Sequence, residues 1–284
     1  MRNVEDINNL LNEPKILRLL NESIFIPEII SSFQDYDNIY IVTTFYNGPI
    51  LFKFAYEELS EKQIKFLTAC MIQALKYLRE KEIIHRDLSF QNIIMDRNNY
   101  FNLIDFSFSV SYSNRNLKKF YCIIDPIFTA PEILNKTECN YNSDYYRLGN
   151  LIFFLVFKKF PLDIKKSNNN LTELAKDYNL THKFSNNILD FTSKLIKSNW
   201  ETRLGYKSIN ELINHPWFKE FDWEKLEKKQ IVSPFNINNS IVIRHTCKNF
   251  IKTKNRVENY VKFAETKYYK QLLKNFEYSK YDIK

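Results

Sequence analysis

The chain has 284 residues, a formal net charge of +8, and 44% hydrophobic and 16% aromatic residues. This length allows a sizeable core in one or two domains, and the composition excludes an intrinsically disordered chain. No apolar run is long enough to span a bilayer, and the first residues lack the apolar stretch of a secretory signal. Cys70, Cys122, Cys139 and Cys247 are scattered without metal-ligand or redox spacing, which indicates reduced thiols in a cytoplasmic protein.

Glycine is scarce and dispersed in this sequence, at Gly48, Gly149 and Gly205 only. A loop that cradles phosphates needs several close glycines, because its backbone must approach the nucleotide. The sequence therefore contains no glycine-rich phosphate loop.

Apolar spacing predicts two helices near the amino terminus, over residues 3–11 and 14–21. Proline costs about 3 kcal/mol inside a helix but is accepted at the first position. We therefore expect the second helix to restart at Pro14, with Asn12 or Glu13 as its cap.

Two β-rich runs follow, Ile29–Phe33 and Ile39–Phe45, separated by a polar turn that is typical of a hairpin. A long helix is predicted over Ser60–Lys81, with Ser60 as its cap. Short strands are expected at Ile83–Ile84 and Tyr100–Ile104.

The second half of the chain has a helical pattern. Residues Tyr145–Val156 are apolar nearly all round, which predicts a buried helix. Further helices are predicted over Leu171–Asp177, Asn186–Lys197 and Ser208–Ile213. A weaker apolar stripe runs from Val257 to Leu272, and we interpret it as a helix packed on its own domain in preference to a partner-binding or membrane-surface helix.

A group of polar residues lies around the predicted short strands. It consists of His85-Arg86-Asp87, then Asn92, then Asp105-Phe106-Ser107. Phosphoryl transfer needs a carboxylate to hold the attacking hydroxyl and oxygen ligands to hold magnesium on the phosphates. Asp87 suits the first role, and Asn92 and Asp105 suit the second.

Further motifs extend this pattern downstream: Ala130-Pro131-Glu132, Asp144, Arg203 and His215-Pro216-Trp217-Phe218. With them, the chain resembles the eukaryotic protein kinases, and within these the cyclic-nucleotide-dependent and related AGC serine/threonine kinases. The resemblance covers roughly residues 10–235.

The resemblance implies an α+β, protein-kinase-like fold in three parts. Residues 1–47 would form a truncated small lobe of one helix and two strands. Residues 48–220 would form the mostly helical large lobe, and residues 221–284 an AGC-type carboxy-terminal tail, whose last residues weakly resemble the hydrophobic motif of that tail.

The resemblance also implies roles in binding ATP and Mg²⁺. Asp87 would orient the substrate hydroxyl and take its proton, while Asn92 and Asp105 would bind Mg²⁺. The positions matched to ATP binding are Thr44, Tyr46, Ile94 and Glu13.

Other matched positions imply structural and regulatory roles. Glu132 and Arg203 would form an ion pair, Asp144 would accept backbone hydrogen bonds near His85 and Arg86, and Arg86 would meet a phosphorylated residue in the activation segment. A stacked apolar column is expected from four residues, namely Leu17, Ile29, His85 and Phe106.

Several positions depart from the family pattern. No strand lysine precedes Glu13, Ser89 replaces the catalytic-loop lysine, and Asp125 replaces the threonine that usually bonds the catalytic aspartate. A second carboxylate near Asp87 would raise the pKa of one or both groups. The position of the activation-segment phosphosite falls near Tyr121.

Three more departures concern the substrate. Relatives that prefer basic peptides hold them with carboxylates, and the matching positions are Ile50, Gln91 and Phe154. The sequence therefore does not support a preference for basic peptides.

Two hypotheses remain open at this point. The first is a serine/threonine protein kinase, impaired in the chain as given because the glycine-rich loop and strand lysine are absent. The second is a pseudokinase that acts as a partner-binding scaffold or regulator. The partner is a protein substrate or a regulatory protein in either case, and the basic residues form no dense block that indicates nucleic-acid binding.

Overall fold

The computed structural model describes residues 4–34, 38–113, 127–137, 139–161, 170–237 and 278–279. Its helices are α1 (Val4–Leu19), α2 (Glu61–Glu80), α3 (Pro131–Leu134), α4 (Asn142–Phe157), α5 (Leu171–Asp177), α6 (Asn186–Leu195), α7 (Asn210–Ile213) and α8 (Trp223–Glu227). Its strands are β1 (Ile29–Gln34), β2 (Ile39–Thr43), β3 (Ile83–Ile84), β4 (Ile93–Met95), β5 (Phe101–Leu103), β6 (Val110–Ser111) and β7 (Tyr278–Ser279). Short 3₁₀ helices span Leu51–Phe54, Trp200–Thr202 and Pro216–Phe218.

Helix α1 runs without interruption through Pro14. The prediction of two helices that meet at Pro14 is therefore wrong, and Glu13 lies inside the helix. The proline penalty is outweighed because Pro14 is buried and Ile16, Leu17 and Leu20 on the following turns are buried in the core. Each such aliphatic side chain contributes about 1.5–3 kcal/mol when fully buried.

A small antiparallel sheet follows α1 in the chain. Strands β1 and β2 pair from Ile29 opposite Thr43 to Gln34 opposite Ile39, which confirms the two predicted strands. Strand β7 pairs with the other edge of β1. Among the strands that the structure describes, β2 therefore has a neighbour on one side only.

Helix α2 is the central element of the core. Ser60 caps it, since its side chain accepts from the Gln63 amide while the Gln63 side chain accepts from the Ser60 amide. This reciprocal arrangement satisfies two amides that the first turn leaves without helical partners. The predicted helix and its cap are confirmed.

Two short antiparallel ladders lie beside α2 and position the polar motifs. Strand β4 pairs with β5, and strand β3 pairs with β6. The ladders bring the segments at 85–92 and 104–109 side by side, because each segment joins a strand of one ladder to a strand of the other. Strands β4 and β6, with three and two residues, were not predicted from the sequence.

The remaining helices confirm the predicted helical half of the chain. Helix α4 is buried on nearly every side, as expected from its composition. Helices α5, α6 and α7 form where helices were predicted, although α6 ends at Leu195. The predicted helix between Val257 and Leu272 lies outside the described residues.

The segment after α8 packs against the hairpin of β4 and β5 and against the 3₁₀ helix Leu51–Phe54. Lys229 forms an ion pair with Asp96 at 2.6 Å, and the Tyr100 hydroxyl donates to the Ile231 carbonyl. Phe235 is buried against the rings of Phe54 and Phe101, at centroid distances of 5.5 and 4.9 Å. None of the helices in the described parts of the chain has the length and apolarity to cross a membrane.

Candidate active site

The loop that begins at His85 is fixed from below by Asp144. The amides of His85 and Arg86 donate to the two oxygens of the Asp144 carboxylate, each at 2.8 Å. Arg86 has a φ of 71°, a conformation that non-glycine residues rarely adopt. The two hydrogen bonds to a charged acceptor keep the backbone in this conformation.

Asp144 is buried, and burial raises its pKa to about 6, although the His85 and Arg86 amides act in the opposite direction. The carboxylate is therefore ionised at neutral pH only at a cost in desolvation. These two hydrogen bonds are the ones that the resemblance implied for Asp144.

Asp87 and Asn92 are in direct contact. The Asn92 amide nitrogen donates to the Asp87 carboxylate at 2.7 Å and to the Asp87 carbonyl at 2.9 Å. Because the amide nitrogen is used twice, the Asn92 side-chain oxygen remains for another ligand.

Arg147 contacts Asp87 from helix α4, and the sequence analysis missed it. Its Nη1 lies 3.5 Å from Asp87 Oδ1, its Nη2 donates to the Thr129 hydroxyl, and its side chain is 4% exposed. The cation that meets Asp87 thus comes from a helix, whereas Ser89, the position that the sequence analysis matched to a lysine, carries no charge. Arg147 is the only charged residue of the predicted buried helix Tyr145–Val156, which marks it as unusual but does not indicate its partner.

Burial raises the pKa of Asp87 to about 6, and the charges of Asp105 and Asp144 act in the same direction. The Arg147 guanidinium and the Asn92 hydrogen bond lower it. The result is a carboxylate that is ionised at neutral pH and is more basic than an exposed aspartate.

Asp105 follows strand β5 and lies close to the Asn92 segment, because the Ile104 amide donates to the Asn92 carbonyl at 2.9 Å. Its φ is 64°. One carboxylate oxygen accepts from the amide and hydroxyl of Ser107, while no described residue donates to the other. The free oxygen leaves Asp105 able to bind a cation.

A magnesium ion carried by a nucleotide fits this donor set. Within the described residues, no group of three or more His, Cys, Asp or Glu side chains is arranged to hold a metal. Mg²⁺ is usually held by one or two carboxylates together with substrate phosphates and water. The free oxygens of Asn92 and Asp105 suit that mode, with the phosphates as the other ligands.

Helix α1 is attached to the Asp105 segment by two neighbouring side chains. The Glu13 carboxylate accepts from the Phe106 amide at 3.2 Å, and the Asn12 side chain donates to the Ser109 carbonyl at 2.6 Å. Burial raises the pKa of Glu13, with the Asp105 charge as a lesser cause in the same direction. Glu13, matched to ATP binding in the sequence, here holds the backbone beside Asp105.

The four residues of the expected column are all fully buried. His85 meets Phe106 edge to face at a centroid distance of 4.9 Å. The His85 Nδ1 accepts from the Asp87 amide, which assigns the ring proton to Nε2, 3.2 Å from the Ile104 carbonyl. Burial lowers the pKa of His85 to about 4, so the ring is neutral.

The residues matched to adenine binding lie just after β2, at Thr44 and Tyr46, and in β4, at Ile94. Thr44 is exposed, and its amide donates to the Glu28 carbonyl at 2.9 Å. Tyr46 and Ile94 are half-buried. The chain comes close to β4 at Gly48, where an added Cβ would lie 2.4 Å from the Met95 carbonyl oxygen.

Glu132 and Arg203 form a fully buried, bidentate ion pair. The guanidinium nitrogens donate to the two carboxylate oxygens at 2.6 and 2.9 Å. Arg203 also donates to the carbonyls of Asn142 and Lys197. The contact lies far from Asp87 in the chain and fixes helix α3 to the region before α7.

Arg86 is buried, but the predicted phosphosite near Tyr121 lies outside the described residues, as does Asp125. The expected repulsion between Asp125 and Asp87 stays a prediction. The raised pKa of Asp87 is explained by burial first.

Comparisons with a protein-family model and with individual proteins both point to the same family. The protein kinase domain matches residues 1–218. The chain is 31% identical to the cAMP-dependent protein kinase catalytic subunit of Schizosaccharomyces pombe, over 74% of this chain and 42% of that protein. It is 29% identical to a probable serine/threonine-protein kinase of Dictyostelium discoideum, over 81% and 51% of the two chains.

A third relative is the serine/threonine-protein kinase sgk-1 of Caenorhabditis elegans, 26% identical over 89% of this chain and 56% of that protein. The chain spans about half the length of the curated relatives it matches. These relatives confirm the resemblance to AGC-type kinases, and the kinase-like α+β fold agrees with it. The chain therefore belongs to the protein kinase family.

Proposed function

We propose that the chain transfers a phosphoryl group from ATP to serine or threonine hydroxyls of proteins. The observation that supports this most is the contact of Asp87 with Asn92, next to Asp105, on a loop that Asp144 fixes. Asp87 would orient the substrate hydroxyl and accept its proton. Its raised pKa suits this role, because a general base works best with a pKa near the working pH.

The other site residues have proposed roles in nucleotide binding. Asn92 and Asp105 would hold Mg²⁺, which neutralises charge on the transferring phosphate when it is bound. Backbone groups of Thr44 and Tyr46, with the Ile94 side chain, would hold adenine. Glu13 would position the Asp105 segment rather than touch the nucleotide.

The proposed division of labour follows the three parts of the chain. Residues 1–47 and 48–220 would enclose the nucleotide, and residues 221–284 would act as a tail that braces the larger part. Arg86 would bind a phosphorylated residue of the activation segment.

Nucleotide titration and phosphate transfer test the proposal together. We expect ATP to bind more tightly with Mg²⁺ than without it, and Asp105→Asn to remove that difference. Asp87→Asn should bind ATP normally but lose roughly 10²–10⁴-fold in transfer of radiolabelled phosphate to a generic protein substrate. The control is Asp177→Asn, at an exposed carboxylate. Transfer that is unaffected by Asp87→Asn contradicts the proposal.

Strand β2 pairs on one side only among the described strands, and this favours a second candidate, a partner-binding scaffold without catalysis. The strand carries no charged residue, and Tyr40, Val42 and the neighbouring Phe33 are exposed. Such an edge pairs readily with another strand. Absence of ATP binding with and without Mg²⁺, together with specific protein binding that Val42→Lys abolishes, would favour this candidate over the kinase.

A further inference from the structure

An exposed aromatic residue lies directly against the loop that carries Asp87. The amide of Phe52, in the 3₁₀ helix Leu51–Phe54, donates to the Phe90 carbonyl at 3.0 Å. Phe90 follows Asp87 by three residues, so their Cα atoms are at most about 11 Å apart. The Phe52 side chain is 49% exposed and therefore lies in solvent close to the candidate base.

Phe52 is one end of a continuous row of rings. Its ring meets Tyr56 at 6.5 Å, Tyr56 meets Phe154 at 5.7 Å, Phe154 meets Phe90 at 5.3 Å, and Phe90 meets Phe128 at 6.1 Å. We call these five residues the aromatic surface. Phe90, Phe128 and Phe154 are buried and support the two exposed rings, of which Tyr56 is 74% exposed.

The charges beside the aromatic surface do not favour a basic ligand. Glu58 is paired with Lys183 at 3.0 Å. The Lys158 ammonium donates to the carbonyls of Ala55 and Glu57, so a cation lies beside the exposed Glu57. The exposed side chain of Lys53 lies in the same 3₁₀ helix. The local charges are thus mixed, with no uncompensated group of carboxylates.

An extended peptide that presents a hydroxyl to Asp87 is long enough to reach this surface. An extended chain advances about 3.3 Å per residue, so residues two to four positions from the hydroxyl reach about 7–13 Å away. Phe90, whose Cα is at most about 11 Å from that of Asp87, is within this reach, and Phe52 adjoins Phe90. Exposed aromatic side chains beside a binding site favour apolar contacts with a partner.

The geometry points to a protein substrate that carries an aromatic or large aliphatic residue within four positions of its serine or threonine, bound on the aromatic surface. This inference rests on the proposed function for the hydroxyl at Asp87. Specificity comes from Phe52 and Tyr56, and the buried rings hold those two in place.

Binding of labelled peptides to the whole chain tests the inference without requiring catalysis. Three peptides share an alanine in place of the phosphoacceptor and differ only in the flanking residues, which are Phe, Arg or Gly. Fluorescence anisotropy should show the Phe peptide binding about tenfold more tightly than the other two, as expected for contacts with two rings. The double variant Phe52→Ser/Tyr56→Ser should lose this preference.

The matched control is Tyr206→Ser, at a tyrosine that is 39% exposed and lies outside both the aromatic surface and the edge of β2. It should keep the preference. If the double variant is unfolded in a thermal scan, Tyr56→Ser alone provides the test, because the Tyr56 ring is mostly in solvent and contributes little to packing. This single variant should weaken binding of the Phe peptide several-fold.

The outcomes separate this inference from the proposed function. Serine versions of the peptides are assayed for phosphate transfer in parallel. If the chain prefers the Phe peptide, the variants remove that preference and no phosphate is transferred, the inference about the aromatic surface is upheld and the proposed kinase activity is refuted. Equal binding of all three peptides, tighter binding of the Arg peptide, or an unchanged preference in the variants overturns the inference.

Discussion

Arg147 contacts Asp87 from helix α4, with its Nη1 3.5 Å from the carboxylate, whereas Asp87 lies in the loop between β3 and β4. Two buried groups of opposite charge stabilise each other only as a pair, because either one alone keeps its desolvation cost. The guanidinium also bonds Thr129, which lies just before Ala130-Pro131-Glu132. Arg147 thus connects the candidate base to the segment that leads into helix α3.

Replacing Arg147 by methionine should raise the pKa of Asp87 above its present value of about 6, because the favourable positive charge is lost. Since Asp87 must be ionised to accept a proton, the acidic limb of the pH profile of phosphate transfer should move to higher pH. Arg147→Lys should shift the limb less. The exposed Arg97→Met serves as control, and a limb that stays in place in Arg147→Met would show that the guanidinium does not act on Asp87.

The buried pair of Glu132 and Arg203 gives a prediction on stability. Arg203→Met should lower the free energy of unfolding by roughly 3–5 kcal/mol, because it leaves the Glu132 carboxylate buried without its partner. Glu132→Leu combined with Arg203→Met should recover part of that loss. Denaturant titration measures both. The control is Lys194→Met, which removes the exposed ion pair with Asp190 and should lower the free energy of unfolding by less than about 1 kcal/mol. A loss in Arg203→Met as small as that in Lys194→Met would refute the argument.

His85 gives a prediction on the dependence of stability on pH. Its pKa is lowered from 6.5 to about 4 in the folded chain, so its contribution is fully present above pH 6.5 and is lost as the pH falls towards 4. His85→Phe keeps the contact with Phe106 but loses two ring hydrogen bonds, which should cost about 1–3 kcal/mol at pH 7.

The difference in unfolding free energy between the wild type and His85→Phe should therefore shrink when the pH is lowered from 7 to 5. Denaturant titrations at the two values measure it, with the exposed His182→Phe as the control. A difference that is constant over this range would mean that His85 titrates normally in the folded chain.

Glu13 gives a prediction on local opening. Glu13→Leu removes the acceptor of the Phe106 amide, which should speed hydrogen exchange at that amide about fivefold, or about 1 kcal/mol in local stability. Glu13→Gln keeps an acceptor oxygen and should change the exchange little. Exposed Glu22→Leu, just beyond α1, is a further control. Identical exchange rates in the Leu and Gln variants would show that the hydrogen bond does not hold the segment.

The sequence was sufficient to predict an element of the fold wherever local rules and tertiary packing favour the same structure. The Ser60 cap and the apolar stripe of α2 indicate the same helix. The resemblance to the kinases, rather than a local rule, implied the contacts of Asp144, Glu132 and Arg203 that the structure contains. The prediction of a helix break at Pro14 was wrong, because the burial of the following turn in the core is a tertiary effect that outweighs the local cost of a proline inside a helix. The contacts of Arg147 with Asp87 and of Phe52 with Phe90 also join distant segments, and no local pattern encodes which distant residues meet.

The segment from Asp222 to Phe235 lies beyond residue 218, where the family match ends, yet it is attached to the hairpin of β4 and β5. Ending the polypeptide at residue 218 would strip Phe235 from Phe54 and Phe101 and leave Asp96 without its lysine. Such a shortened chain should have a melting temperature several degrees below that of the full chain. It should also bind nucleotide more weakly, because Asn92 and Asp105 border that hairpin. Equal melting temperatures for the two chains would disprove this prediction. The packed structure thus continues past the end of the recognisable domain.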